Sequence, residues 1–557
     1  MLSRIFPAWE WLRAYKKIDL RNDLTAGFIV GVMLVPQGMA YAALAGLPPV
    51  TGLYASLVPL FVYVLFGSSR HLAVGPVAIV SMVIFAQCAK VAPPGSPEYM
   101  NAVVLLCVMV GVLQVALGLL RMGFMVNFLS HAVISGLTSA AAILIAFSQL
   151  KHLSGIPLKS GHSILNLLAG AVRNLGEIHF PTLLLGLASM AVLVFFKKWR
   201  PRFPAPILVV CAATLLVWGA RLDTSGIHIV GEVPGGLPPI HWPHFDFGLA
   251  RTLLPAALTI VLVGFVESIS IAQLIAAKER YRVAPDRELR ALGFANLAAA
   301  VTGGYPVTGG FSRTAVNYQA GARTGMASLV TAALILLTLL FFTPLFYYLP
   351  NAVLAAIVIA AVIDLIDYKT AVELFRLKKS SGLSLLLTFV VTLLFGIEMG
   401  VLVGVVFTLL VFIWRSAHPH TVELGYVNEE IGFRNVKRYP GAKTFPGVLI
   451  LRVDASLYFA NMAFLEDWLR QAVYEKSGLQ WILMDFSGVN DIDGCAVQTL
   501  EQLMRSYRES GVRFALSGVK GPVRDVLNRS TWPTLLEEHL GHPSLRQALN
   551  VIGAKMP

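Results

Sequence analysis

The chain has 557 residues, 56% of them hydrophobic and only 13% charged, with a formal net charge of +13. At a mean hydropathy of +0.70 this composition excludes a soluble globular protein and indicates a polytopic α-helical membrane protein. The positive balance needs no nucleic acid, because Lys and Arg collect on the inner side of membrane proteins. The four cysteines show no CxxC spacing, and no His/Cys cluster has metal spacing, so neither a disulfide scaffold, a metal nor a cofactor is expected.

Residues 1–23 form a short N-terminal segment. In it Trp9, Trp11 and Tyr15 with Arg13, Lys16 and Lys17 suit an interfacial helix rather than a cleavable signal. Apolar blocks then follow from 24–45 to 400–414 and divide into 14 spans, which places a membrane domain at 24–415. With the N-terminus inside, the inner loops collect Arg70, Arg121, the Lys197–Arg202 run, Lys278 to Arg290, Arg323 and Lys369 to Lys379. About 21 basic residues then lie inside and about 6 outside, so an even span count with both termini cytoplasmic is expected.

Two stretches break the helical pattern at membrane depth. One is Ala73-Val74-Gly75-Pro76-Val77-Ala78 in the 74–90 block. The other is Tyr305 to Thr314, leading into the 309–322 block. Pro removes a donor, Gly weakens a helix by about 1 kcal/mol, and irregular backbone survives at this depth only when shielded from lipid. Paired breaks in two halves of a chain point to a transporter's binding site. Each break places a helix N-terminus, with its unpaired N–H groups, beside the other, and the second adds Arg313. Gly310, Phe311, Ser312 and Arg313 thus open an anion cradle with Val77 and Ala78. Arg313 could instead snorkel from a helix end or bridge two helices.

Gln37 and Tyr41 stand at i and i+4 on one face of the first span, suited to ligand hydrogen bonding or to interhelical contacts. Glu267 is alone in Leu253–Ala277, about 25 residues otherwise free of charge. Its readings are a proton-coupling carboxylate, a permanent ion pair with Arg313, or, third, sodium coordination with Ser268 or Ser270. No phosphate-binding loop follows Gly309-Gly310, so ATP hydrolysis and enzyme activity are not expected.

The tail, 416–557, alternates strand-like and helix-like stretches. Strands are expected at 448–453, 481–486 and 513–517, with helices at 463–474, 495–510 and 523–529: a small soluble α/β domain.

Three blocks in order, Pro36-Gln37-Gly38-Met39-Ala40-Tyr41, Leu47 to Tyr54 and Gly67 to Pro76, closely resemble the sulfate permease (SulP) family. The tail resembles that family's STAS domain. The resemblance implies a 7+7 inverted repeat of core and gate domains with half-helices at spans 3 and 10. It places the substrate among Tyr41, Val77, Ala78, Ser312 and Arg313, with Val77 standing where the family has an aromatic. Repeat symmetry sets Glu267 in span 8 against Gln37 in span 1. In the tail the family's phosphorylatable turn reads Asp491-Ile492-Asp493-Gly494-Cys495, without the hydroxyl. Homodimer contacts and docking of cytoplasmic partners are therefore expected there rather than a phosphoswitch.

The expectation is a sulfate:proton symporter of a bacterial inner membrane, in contact with membrane lipid. A divalent anion moving inward against a negative interior needs more than two protons or a chemical gradient. Bicarbonate or a C4-dicarboxylate, carried by symport, and an anion exchanger or channel remain alternatives. A membrane-anchored signalling scaffold is the alternative of another class.

Overall fold

The computed structural model describes residues 8–13, 15–124, 130–156, 164–199, 204–240, 242, 245–536 and 541–554. Arg200 and Arg202 of the basic run lie outside the described residues. Two compact units emerge, Met1–Thr408 and Leu409–Pro557.

The principal helices up to Ala417 are, in order, α1 (Lys17–Leu44), α2 (Val58–Phe66), α3 (Ala78–Cys88), α4 (Pro97–Leu119), α5 (His131–Ser148), α6 (Phe180–Trp199) and α7 (Ala205–Ala220). They continue as α8 (Phe247–Lys278), α9 (Pro285–Val301), α10 (Phe311–Gln319), α11 (Met326–Leu337), α12 (Asn351–Val362), α13 (Lys379–Phe395) and α14 (Ile397–Ala417). Among the described residues nine helical stretches are long and apolar enough to cross a membrane, and four further apolar helices have 10–17 residues. The expected spans 74–90 and 309–322 hold only the 11 residues of α3 and the 9 of α10. At 1.5 Å per residue these reach roughly half-way through a ~30 Å hydrocarbon layer. They are half-helices.

Small residues set the packing, since lipid supplies no hydrophobic drive between helices and close backbone approach must do so. A Cβ on Gly293 of α9 would lie 2.8 Å from the carbonyl of Gly111 of α4. On α1, a Cβ at Gly27 would lie 2.4 Å from the Ala327 carbonyl of α11. Asp23, fully buried near the start of α1, pins the same pair. It accepts from Arg323 N (2.7 Å), Thr324 N (3.2 Å) and Thr324 Oγ1 (2.6 Å).

The second unit holds a five-stranded sheet of β3 (Thr421–Tyr426), β4 (Phe433–Asn435), β5 (Val448–Val453), β6 (Trp481–Asp485) and β7 (Arg513–Ser517), in the order β4-β3-β5-β6-β7. β5, β6 and β7 pair in parallel, joined by α15 (Phe459–Tyr474) and α16 (Gly494–Glu509). Leu449, Leu451 and Ile482 are buried, as central parallel strands require, and Leu516 of the edge strand β7 is buried with them. α15 starts four residues before the expected helix. β3 and β4 escaped the sequence reading because Glu423 and Gly425 interrupt β3 and β4 has three residues.

Candidate functional site: an anion cradle between two half-helices

The two breaks meet. β1 (Val74–Gly75) pairs antiparallel with β2 (Thr308–Gly309), Val74 opposite Gly309 and Gly75 opposite Thr308. Each strand feeds a half-helix, α3 after Val77 and α10 after Gly310, and neither cap residue contributes a side-chain hydrogen bond. No cap side chain thus meets the first amides of either helix, and each start carries about half a positive charge.

Polar side chains of neighbouring helices hold the ribbon. Gly309 N donates to Ser268 Oγ of α8 at 2.8 Å, and the hydroxyls of Ser268 and Thr308 both reach the Gly264 carbonyl, at 2.7 and 2.6 Å. Asn296 of α9 accepts from Val307 N at 2.7 Å and donates to Gln114 Oε1 at 2.8 Å. Across the ribbon, Gly310 N donates to the Ala73 carbonyl at 3.1 Å and Ala73 N to Thr314 Oγ1, also at 3.1 Å. Every such bond lies in a place where an unmade one would cost several kcal/mol.

Arg313 sits within this frame, 2% exposed. Its Nη1 donates to the Pro76 carbonyl at 2.5 Å and to Gln37 Oε1 at 3.4 Å. Gln37 Nε2 in turn donates to Tyr41 Oη at 2.9 Å, so Gln37, Tyr41 and Arg313 form one buried chain. Space for the guanidinium comes from missing side chains. A Cβ on Gly310 would stand 2.8 Å from Nη2, and one on Gly75 3.3 Å from it.

Much of the cluster's capacity is unused. Among the described residues, Arg313 Nε and Nη2, Glu267 Oε2, Tyr305 Oη and Ser81 Oγ are buried and have no hydrogen-bond partner. Tyr41, Tyr305 and Glu267 all stand within electrostatic reach of Arg313. The Glu267 carboxylate faces the Phe311 amide at the start of α10, yet Glu267 and Arg313 form no ion pair. The permanent salt bridge weighed from the sequence is therefore absent. A buried cation with two idle donors beside idle hydroxyls and the start of α3 calls for an anion to complete them.

The remaining sequence candidates divide. Val77 and Ala78 are each 5% exposed and Gly310 is buried, at the junction of ribbon and half-helices. Phe311 is 45% exposed, and Ser312 is exposed and makes no side-chain hydrogen bond among the described residues, so neither joins the bonded cluster. Tyr305, Ser81 and Thr314 were not singled out from the sequence. The only trace there was Ser81's hydroxyl in an apolar run, and Tyr305 and Thr314 bounding the second break. Among the described residues no group of three or more His, Cys, Asp or Glu could hold a metal ion.

The profile of the sulfate permease family matches residues 20–388 and that of the STAS domain residues 439–539. The chain is 39% identical over 548 residues to the chloroplastic sulfate transporter 4.1 of Arabidopsis thaliana, covering 95% of this chain and 80% of that one. It is 34% identical over 529 residues to a probable sulfate transporter of Mycobacterium tuberculosis, covering 94% of each. Its structure resembles that of the murine Solute Carrier 26 family member A9 anion transporter in the inward-facing state. The TM-score is 0.91 at 26% identity, over 98% of this chain and 94% of that one.

Proposed function

The chain belongs to the sulfate permease family, and we propose that it carries sulfate across the bacterial inner membrane together with protons, by alternating access. The observation that carries this reading is Arg313, buried at the starts of two half-helices and not neutralised by Glu267. Had the two formed a salt bridge, the cation would be cancelled within the protein. Unpaired, Arg313 is available to an anion and Glu267 to a proton.

A tetrahedral dianion suits the donors. Arg313 Nε and Nη2 offer two N–H groups side by side, the fork that binds oxyanions, and the start of α3, which no cap side chain meets, supplies donors from another direction. Gln37 and Tyr41 hold the guanidinium from behind. Glu267 serves as the proton site: a protonated carboxyl lowers the repulsion felt by the entering anion, and an ionised one raises it, so anion and proton favour each other's presence. Sodium in place of the proton is the second choice. Sulfate is preferred over bicarbonate or a dicarboxylate because relatives over nearly the whole chain are named sulfate transporters.

In this reading α3, α10, the ribbon and the helices bonded to it move as a core against a gate, in a 7+7 repeat of 14 spans with both termini cytoplasmic. The STAS domain contributes dimer contacts and docking. Uptake of radiolabelled sulfate into proteoliposomes tests the proposal. An inward proton gradient should accelerate uptake, and equal rates with and without it would remove the symporter.

A further inference from the structure

A second polar cavity, of about 210 Å³, lies on the face that carries the basic loops, and none of the cradle's bonded residues lines it. Its walls are the end of α2 with the loop that follows, the loop between α8 and α9, and the start of α11. Three arginines border it: Arg70 in the loop after α2, Arg282 in the loop between α8 and α9, and Arg287 in the first turn of α9. Arg70 stacks over the Tyr281 ring at 5.2 Å. Among the described residues, neither Arg282 nor Arg287 makes an ion pair or a side-chain hydrogen bond.

The nearby carboxylate does not answer these charges. Glu288, fully buried, is saturated by other donors: Tyr63 Oη, Ser68 N and Ser68 Oγ, each at 2.7 Å, and Ser69 N at 3.0 Å. Its bonds tie the α2 end to α9 and so fix the spacing of Arg70 and Arg287. Three guanidinium groups held around one cavity repel each other, and an oxyanion between them would turn that cost into charge-assisted hydrogen bonds.

The size of the cavity and one neighbour narrow the occupant. The volume holds roughly seven waters at ~30 Å³ each, enough for a phosphate group with part of its hydration but small beside the ~300–1,000 Å³ of a metabolite pocket. Trp11, on the N-terminal helix Ala8–Arg13, forms part of the wall. An indole at a basic cavity is the arrangement expected at the headgroup level of a bilayer. We propose that this cavity binds a phosphate group, and that its source is the headgroup of an anionic phospholipid. The inference stands apart from which anion is transported.

Thermal unfolding of the purified full-length protein in neutral detergent, titrated with phosphatidylglycerol, phosphatidylcholine or inorganic phosphate, tests this. Phosphatidylglycerol should raise the Tm while phosphatidylcholine should not. Arg282→Gln with Arg287→Gln should weaken the apparent affinity by about tenfold or more, as loss of charge-assisted bonds implies. Arg282→Lys with Arg287→Lys keeps the charge and should retain most of the binding, which guards against misfolding as the cause. A response to inorganic phosphate with the same arginine dependence would uphold the phosphate site but move its occupant into solution. Equal responses to the two lipids, or a Gln double variant that binds as well as the wild type, would overturn the proposal.

Discussion

Arg313 donates from Nη1 to the carbonyl of Pro76 at 2.5 Å, so the second half-helix grips the turn that leads into the first across 237 residues of sequence. This contact, the β1–β2 ribbon and the Gly310–Ala73 bond make the two half-helices one mechanical piece. An anion bound between them would meet a rigid donor set, and little ordering would be needed on binding.

Gly310→Ala probes that rigidity. The added Cβ would lie 2.8 Å from Arg313 Nη2, and the guanidinium must swing off the Pro76 carbonyl to admit it. Sulfate affinity, read by equilibrium binding to the purified protein, should fall by about tenfold for the loss of one charge-assisted bond. Gly441→Ala, where a Cβ meets open space, should bind as the wild type does.

Removing the charge goes further. Arg313→Ala should abolish measurable sulfate binding and transport, because the amides alone offer only partial charge. The STAS domain should be untouched, with amide hydrogen exchange in β5, β6 and β7 unchanged. Arg313→Lys keeps a cation but loses the fork, and should leave weak binding.

Ser268 is a positioning residue for the ribbon. Ser268→Ala orphans Gly309 N at a buried site, which costs about 1–3 kcal/mol. Thermal unfolding should show a lower Tm, together with weaker sulfate binding because β2 leads directly into α10. A variant with wild-type Tm would mean that the Gly309 amide finds another acceptor.

Acid should loosen the STAS domain first through two carboxylates. Hydrogen bonds from Thr531 and Arg505 hold Glu501 below the usual carboxylate range. Partial burial raises Asp454, but bonds and charge from His420 and Arg452 outweigh it and bring the carboxyl below its ordinary value. Folded values below the unfolded ones mean stability that is present above about pH 4 and lost as pH falls through the folded values. Hydrogen exchange of the full-length protein should report constant protection in β5 and β6 from neutral to about pH 5 and a decline below pH 4. Glu501→Gln should shrink that decline.

The sequence disclosed the cradle through backbone rules rather than through side chains. Gly75-Pro76 and Gly309-Gly310 cannot sit in a lipid-facing helix, so their pairing was legible, and Arg313 and Glu267 stood out as charges in apolar surroundings. The antiparallel register of Val74 with Gly309 was not legible, because strands of two residues carry no periodicity. Tyr305 and Ser81 were not legible either, because tertiary packing decides whether a buried hydroxyl finds a partner, and their unpartnered oxygens place them at the cluster. In the tail the buried strands announced themselves by apolar runs such as Val448 to Leu451. β3 and β4 did not, since Glu423 and Gly425 break the apolar run of β3 and the edge strand β4 has only three residues.

The proposed division of labour, Arg313 for the anion and Glu267 for the proton, is tested most directly by comparing sulfate uptake of the wild type and Glu267→Gln in proteoliposomes, with and without an inward proton gradient. The wild type should be accelerated by the gradient. The variant, fixed in a neutral form, should still exchange sulfate across the membrane but gain nothing from the gradient. A variant that responds to the gradient as the wild type does would contradict the coupling role of Glu267.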